Sequence, residues 1–245
     1  MTPARVFGLA LLVVLLAAPA AVSQESEPSG QDLFEESCAS CHGIDGRGTE
    51  YGPSLQNSGA AAADFELRTG RMPLHDPDAQ TVRKPPAFSN DEIDLIVAYV
   101  ASLAPGPSDS AGEPIPEVDL SGVVLSDGQE IYTENCAACH GATANGGAAG
   151  AGALAPSLHL ALPLDVAEAT IIGPGEMPKF SFDEAERNAV VAYVRYLQTE
   201  DAPGGADIGG IGPVPEGFVA WLVGIGSLTV ACWLIGSKVL GKGEG

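Results

Sequence analysis

Basic side chains are scarce in this chain of 245 residues, where 11 Lys and Arg stand against 32 Asp and Glu for a formal charge of −21. An acidity of this size excludes a nucleic-acid surface and leaves neutral or basic partners. Cysteine is also sparse, at 5 residues, and methionine sparser, at 3 including the initiator. Outside two short motifs no Cys pair remains to build a disulfide framework or complete a four-coordinate zinc site. No constellation of acid, base and nucleophile marks a substrate-transforming centre, and no proton-pumping group is recognisable.

What the chain does hold is concentrated. Four of its cysteines fall in Cys38-Ala-Ser-Cys41-His42 and Cys136-Ala-Ala-Cys139-His140, each followed by Gly. Two thiols spaced by two residues reach the two vinyl groups of a porphyrin, while the adjacent imidazole ligates iron from one face. One copy alone is compatible with a redox dithiol or half a zinc site. Two copies in matching surroundings, each with a Met-Pro downstream, point to two covalently bound haem c groups. The fifth cysteine, Cys232, lies in an apolar run and is expected to be a small buried hydrophobe.

The motifs belong to an internal repeat. Gly30-Gln-Asp-Leu-Phe-Glu-Glu-Ser-Cys38 matches Gly128-Gln-Glu-Ile-Tyr-Thr-Glu-Asn-Cys136, and Ile96-Val-Ala-Tyr-Val100 matches Val190-Val-Ala-Tyr-Val194. The first pair predicts a short helix leading into each haem site, and the second an amphipathic helix closing each unit. Ser89 with Glu92 and Asp183 with Glu186 are candidate capping boxes. The predicted fold is all-α, with two tandem cytochrome c-type haem domains at 29–104 and 123–200. They are joined by a Pro/Gly/Ser-rich linker at 105–122. Each unit is small for a self-sufficient core, and a covalently held haem supplies the missing apolar mass.

The repeat is imperfect. Residues 141–155 form an extra Gly/Ala-rich stretch in the second unit, expected to be a flexible loop with little chemistry. The first unit carries extra residues between Met72 and Phe88. That segment contains Arg83 and Lys84, two of few cations, and is expected to be a docking loop.

The ends read as membrane signals. Arg5 followed by an apolar stretch to about Val22 predicts a signal peptide at 1–23, or an uncleaved anchor. A flexible segment at 201–215 leads to about twenty uncharged residues within 216–237, enough for one transmembrane helix. Lys238 and Lys242 follow it, so the tail at 238–245 is expected in the cytoplasm and the haem domains outside it. Trp221 and Trp233 sit near the two interfaces. Ala220, Gly224, Ser227 and Ala231 make a small-residue stripe suited to packing on another membrane helix.

A haem that shuttles electrons needs a sixth ligand, and a soft thioether favours Fe(II) and raises the potential. Met72 in Gly70-Arg-Met-Pro73 and Met177 in Gly175-Glu-Met-Pro178 occupy corresponding turns. His42 and Met72, with His140 and Met177, are therefore the expected iron ligands. His75 and His159 are rivals, expected instead to be surface or packing residues.

With these residues in view, nearly the whole chain resembles the dihaem cytochrome c subunit of actinobacterial menaquinol-oxidising cytochrome bc complexes. The narrower match is Gly70-Arg-Met-Pro with Arg83-Lys-Pro-Pro, Gly175-Glu-Met-Pro-Lys-Phe180, and Gly212-Pro-Val-Pro-Glu-Gly-Phe218 before the last helix. The resemblance to c-type cytochromes implies that the carbonyls of Pro53 and Pro156 accept the proton of the ligating imidazoles and orient them. It also implies an electron relay, not a catalyst on its own. The Rieske iron-sulfur and cytochrome b subunits would lie upstream, and the copper-site subunit of a terminal oxidase downstream. The alternatives are a cytochrome subunit of another respiratory assembly, or a dihaem peroxidase-like enzyme. The peroxidase reading is disfavoured because both irons have a Met candidate.

Overall fold

The computed structural model describes residues 27–104, 112–150, 152–200 and 213–240. The expected signal peptide, the start of the first linker, most of the second and the last residues of the tail lie outside the described residues.

Helix α1 (Gly30–Ser37) starts where Asp32 accepts from the Ser29 amide at 2.9 Å while the Ser29 hydroxyl accepts from the Asp32 amide, a reciprocal cap. The one-turn helix α2 (Ala39–His42) carries the first motif, α3 (Gly59–Arg68) follows, and α4 (Asn90–Ser102) closes the unit behind a Ser89/Glu92 capping box. The second unit repeats this order. Helices α5 (Leu125–Asn135) and α6 (Ala137–His140) lead to α7 (Pro163–Ile172), and α8 (Glu184–Thr199) is capped by Asp183 and Glu186. Within the Gly/Ala-rich stretch lies a short antiparallel hairpin, β1 (Gly147–Gly150) with β2 (Ala153–Ala155), more order than the expected loop.

In each unit the first helix crosses the last at very short range. A Cβ on Gly30 would lie 2.1 Å from the Leu95 carbonyl oxygen, and one on Gly128 2.0 Å from that of Ala189. Only glycine permits that approach, which explains why both repeats begin on it. Leu33 and Phe34 pack on Ile93, Ile96, Val97 and Val100, while Tyr132 packs on Val190, Val191 and Val194. The rings of Phe34 and Tyr99 stand 5.2 Å apart and those of Tyr132 and Tyr193 5.5 Å apart, at the same tilt. Each fully buried large side chain contributes about 1.5–3 kcal/mol.

Helices α3 and α7 were not anticipated from the sequence, and they decide how the units meet, because they pack against each other. The extra segment after Met72 folds into the same contact. Lys84 N donates to Thr69 O at 3.0 Å, Gln80 Nε2 donates to Leu154 O at 2.9 Å, and Arg83 pairs with Asp165 in the first turn of α7. The expected docking loop is thus docked, but on the chain's own second unit, since α7 offers a buried carboxylate within reach of Arg83. The first linker is equally engaged: Ala61 N donates to Glu113 O at 3.0 Å, and Val118 packs on the second core.

Arg83→Glu should therefore weaken the contact between the units. It exchanges an ion pair whose acid is almost buried for two like charges, at a cost of about 2 kcal/mol. Faster proteolysis of residues 74–88 in the holoprotein would report it, and unchanged cleavage would count against the contact.

Helix α9 (Pro213–Leu240) contains Gly217–Ser237, 21 residues long and apolar enough to cross a membrane. Cys232 is exposed on it, and not buried as expected, because no described element packs on this helix.

Candidate functional site

Each motif sits at a helix corner. Cys38 ends α1 with its amide bonded to Phe34 O at 2.8 Å, and Cys136 ends α5 in the same way on Tyr132 O at 2.8 Å. The chain then makes one helical turn through Cys41 and His42, or Cys139 and His140, placing both sulfurs and the imidazole around a single turn. Gly43 and Gly141, both at φ +77, stop that turn. A side chain there would be strained, which is why a glycine follows each His.

The imidazoles are held from behind. His42 Nδ1 lies 2.8 Å from Pro53 O, and His140 Nδ1 lies 2.9 Å from Pro156 O. An N–H donated to the carbonyl fixes the tautomer that leaves Nε2 as a free lone pair, as a metal ligand requires. Both rings are buried. Burial lowers the His140 pKa, partly opposed by the Pro156 bond, so the ring favours its neutral, ligating form.

Burial, reinforced by the second thiol of the motif, pushes Cys38 and Cys136 up to about 11. A reactive dithiol needs the opposite shift, toward thiolate at neutral pH. The environment instead suits sulfur that carries no charge, as in a thioether.

In the first unit Cys38, Cys41, His42, Pro53, Leu67 and Met72 line one cleft, which brings both thiols, the imidazole and the thioether to a single opening. Its wall includes Leu67 from α3, which sequence reasoning missed. Ala60 to Ala63 gave no clear helical period, and the signal was confined to Phe65 and Leu67. In the second unit Met177 is half-buried in the loop leaving α7, where its amide donates to Pro174 O at 3.1 Å and Phe180 N donates to Thr170 O at 2.8 Å. His75 is exposed, and the exposed His159 ring lies 2.9 Å from Thr143 O through Nε2. Cysteines free of disulfides, rear-anchored imidazoles and a cleft shared by both thiols, His42 and Met72 all fit a covalently held haem.

Comparison with known proteins agrees. A cytochrome c family model matches residues 28–104, and a model of cbb3-type cytochrome c oxidase subunit III matches 124–194. The cytochrome bc1 complex cytochrome c subunit of Mycobacterium leprae is 39% identical over 214 residues, covering 84% of this chain and 74% of the relative. The chain belongs to the family of cytochrome bc1 complex cytochrome c subunits. Its member from Corynebacterium diphtheriae is 35% identical over 251 residues, covering 94% of this chain and 89% of the relative. A cbb3-type cytochrome c oxidase subunit CcoP from Azospirillum is 33% identical over 193 residues, covering 69% of this chain and 61% of the relative. As a cytochrome c subunit with two such domains, the chain carries two covalently bound haem c groups, on Cys38 and Cys41 and on Cys136 and Cys139.

Proposed function

We propose that this protein is the dihaem electron relay of a menaquinol-oxidising cytochrome bc complex, passing electrons from the Rieske and cytochrome b subunits to the copper site of a terminal oxidase. The observation that carries this reading is two haem-binding corners of matching geometry on one chain whose relatives, matched over most of their length, are bc1 complex subunits.

When bound, each haem supplies a one-electron couple; the rest is the work of the chain. His42 and His140 would hold the iron through Nε2, their rings kept in orientation by the carbonyls of Pro53 and Pro156. Met72 and Met177 would supply thioethers, soft ligands that favour Fe(II) and leave no open position for oxygen or peroxide. Buried apolar side chains such as Leu67 keep water from the first cleft, which limits reorganisation on electron transfer.

The apolar segment Gly217–Ser237 anchors the chain in the membrane, and the basic residues after it place the haem domains, 29–104 and 123–200, outside the cytoplasm. Tethering makes each encounter intramolecular, so that transfer does not depend on a diffusing pool. Net charge of −21 suits basic docking surfaces on the partners.

Mild detergent purification of the chain should bring down quinol-oxidising subunits, with two covalent haems per chain by pyridine haemochrome. Fewer than two haems would overturn the relay. A second reading, a subunit of a haem-copper oxidase, is favoured by the likeness of residues 124–194 to cbb3 subunit III. It predicts oxidase subunits in the pull-down and no cytochrome b.

A further inference from the structure

The contact between α3 and α7 buries two carboxyl groups against each other. Asp64 and Glu168 each stand sixth in a ten-residue helix, so equivalent positions of the repeat meet, and each is 1% exposed. Asp64 Oδ1 accepts from Arg68 Nε at 2.8 Å, whereas Asp64 Oδ2 and Glu168 Oε1 are buried with no partner among the described residues.

Arg68 can neutralise only one of these acids, and it is shared with Asp94 of α4. Asp165, one turn before Glu168 on α7, adds a third carboxylate; Arg83 of the loop pairs with it and the buried Arg71 lies near it, while Glu66 of α3, whose carboxyl burial also pushes up, faces Arg71. Helix α8, which packs on α7, buries Asn188, Ala189, Val190, Val191 and Val194, none of them charged, and of its polar atoms Arg187 Nε and Asn188 Oδ1 are also buried without a partner among the described residues. Two carboxylates in contact in such a dry interface repel strongly, and an unpaired buried charge costs several kcal/mol.

We propose that Asp64 and Glu168 share a single proton across the contact between the two haem units, and that its loss to solvent loosens the contact, making the docking of the units pH-dependent. With the proton on Glu168, its O–H donates to Asp64 Oδ2, and both orphaned oxygens gain a partner. Burial, then the charges of Asp64 and Asp165, push the Glu168 carboxyl up to about 9, with Arg68 opposing. When the units part, Glu168 meets water and returns toward its ordinary value near 4.5.

The sign follows from linkage. The pKa is higher in the docked form, so docking is strongest in acid and weakens as pH rises from about 4.5 to about 9, by up to about tenfold per pH unit. Above that window Glu168 is charged in both forms, and the loss levels off. Any consequence for electron transfer between the haems rests on the relay reading; the proton and the docking do not.

The test uses the full-length holoprotein in its purified complex. Infrared spectra at pH 7 should contain a neutral-carboxyl band that titrates away near pH 9 and is missing in Glu168→Gln. Hydrogen exchange of α3 and α7, corrected for intrinsic chemistry, should lose up to roughly a hundredfold in protection between pH 6 and 8 in the native chain. Glu168→Gln, which imitates the protonated acid, should be flat over that range. Should that variant not fold, Asp64→Asn removes one of the charges that raise Glu168 while burial remains, so the band and the pH dependence are expected to persist but move to lower pH. Spectra of Glu168→Gln that match the native chain, a band in Asp64→Asn that does not move, or native protection that does not vary with pH, would overturn the proposal. A missing haem or missing quinol-oxidising subunits would sink the relay reading instead and leave this result standing.

Discussion

Met72→Ala is expected to turn one of the two haems into a form that binds carbon monoxide and accepts electrons only at lower potential, leaving the other haem untouched. Met177→Ala should do the reverse. Apart from the initiator these are the chain's only methionines, so no second thioether can replace the lost one. His75 is exposed, and the His159 ring is engaged at Thr143 O, so neither stands ready to substitute. Loss of a thioether removes the ligand that prefers Fe(II). At about 59 mV per tenfold change for a one-electron couple, a hundredfold loss of that preference lowers the midpoint by roughly 120 mV. Redox titration with carbon monoxide difference spectra reads both effects, and two unaltered haems in either variant would show that sulfur is not the sixth ligand.

The largest effect on stability is expected at the paired helix crossings. Gly128→Ala places a methyl group 2.0 Å from a main-chain carbonyl oxygen, and Gly30→Ala places one at 2.1 Å. Neither obstacle is the end of a flexible side chain. The helices must separate, and the aromatic and aliphatic contacts between them open together, at a cost of about 3 kcal/mol or more. Against a typical total of about 5–15 kcal/mol, that removes a large part of one unit's stability. Thermal unfolding of the holoprotein followed at the haem band should fall sharply, whereas Gln31→Ala, exposed beside Gly30, should stay within about 0.5 kcal/mol of the native chain. Equal melting of all three would mean the crossings are looser than described.

Both predictions draw on features that the sequence displays openly, and the reason is that they are local. Ser89 with Glu92 and Asp183 with Glu186 cap their helices through contacts three residues apart, and a period of 3.6 marks Ile93, Ile96, Val97 and Val100 as one face. Helix α3 was illegible for the converse reason. Four alanines in a row carry no amphipathic signal, and Asp64, buried against the other unit, falls where a polar residue would be assigned to solvent. Arg83 misled in the same way: a cation in a long loop suggests an outside partner, yet Asp165, its actual partner, lies 82 residues away in sequence.

The covalent chemistry of two haem attachment motifs and an apolar final helix was determined by the sequence alone, because each depends on residue identity at short spacing, and the paired methionines proposed as ligands were legible for the same reason. Tertiary structure alone decided how the haem units lie against each other. It paired equivalent helices, spent Arg83 inside the chain and brought Asp64 up to Glu168. Contacts between residues a hundred positions apart depend on which faces remain unburied after each unit has folded, and no local pattern records that.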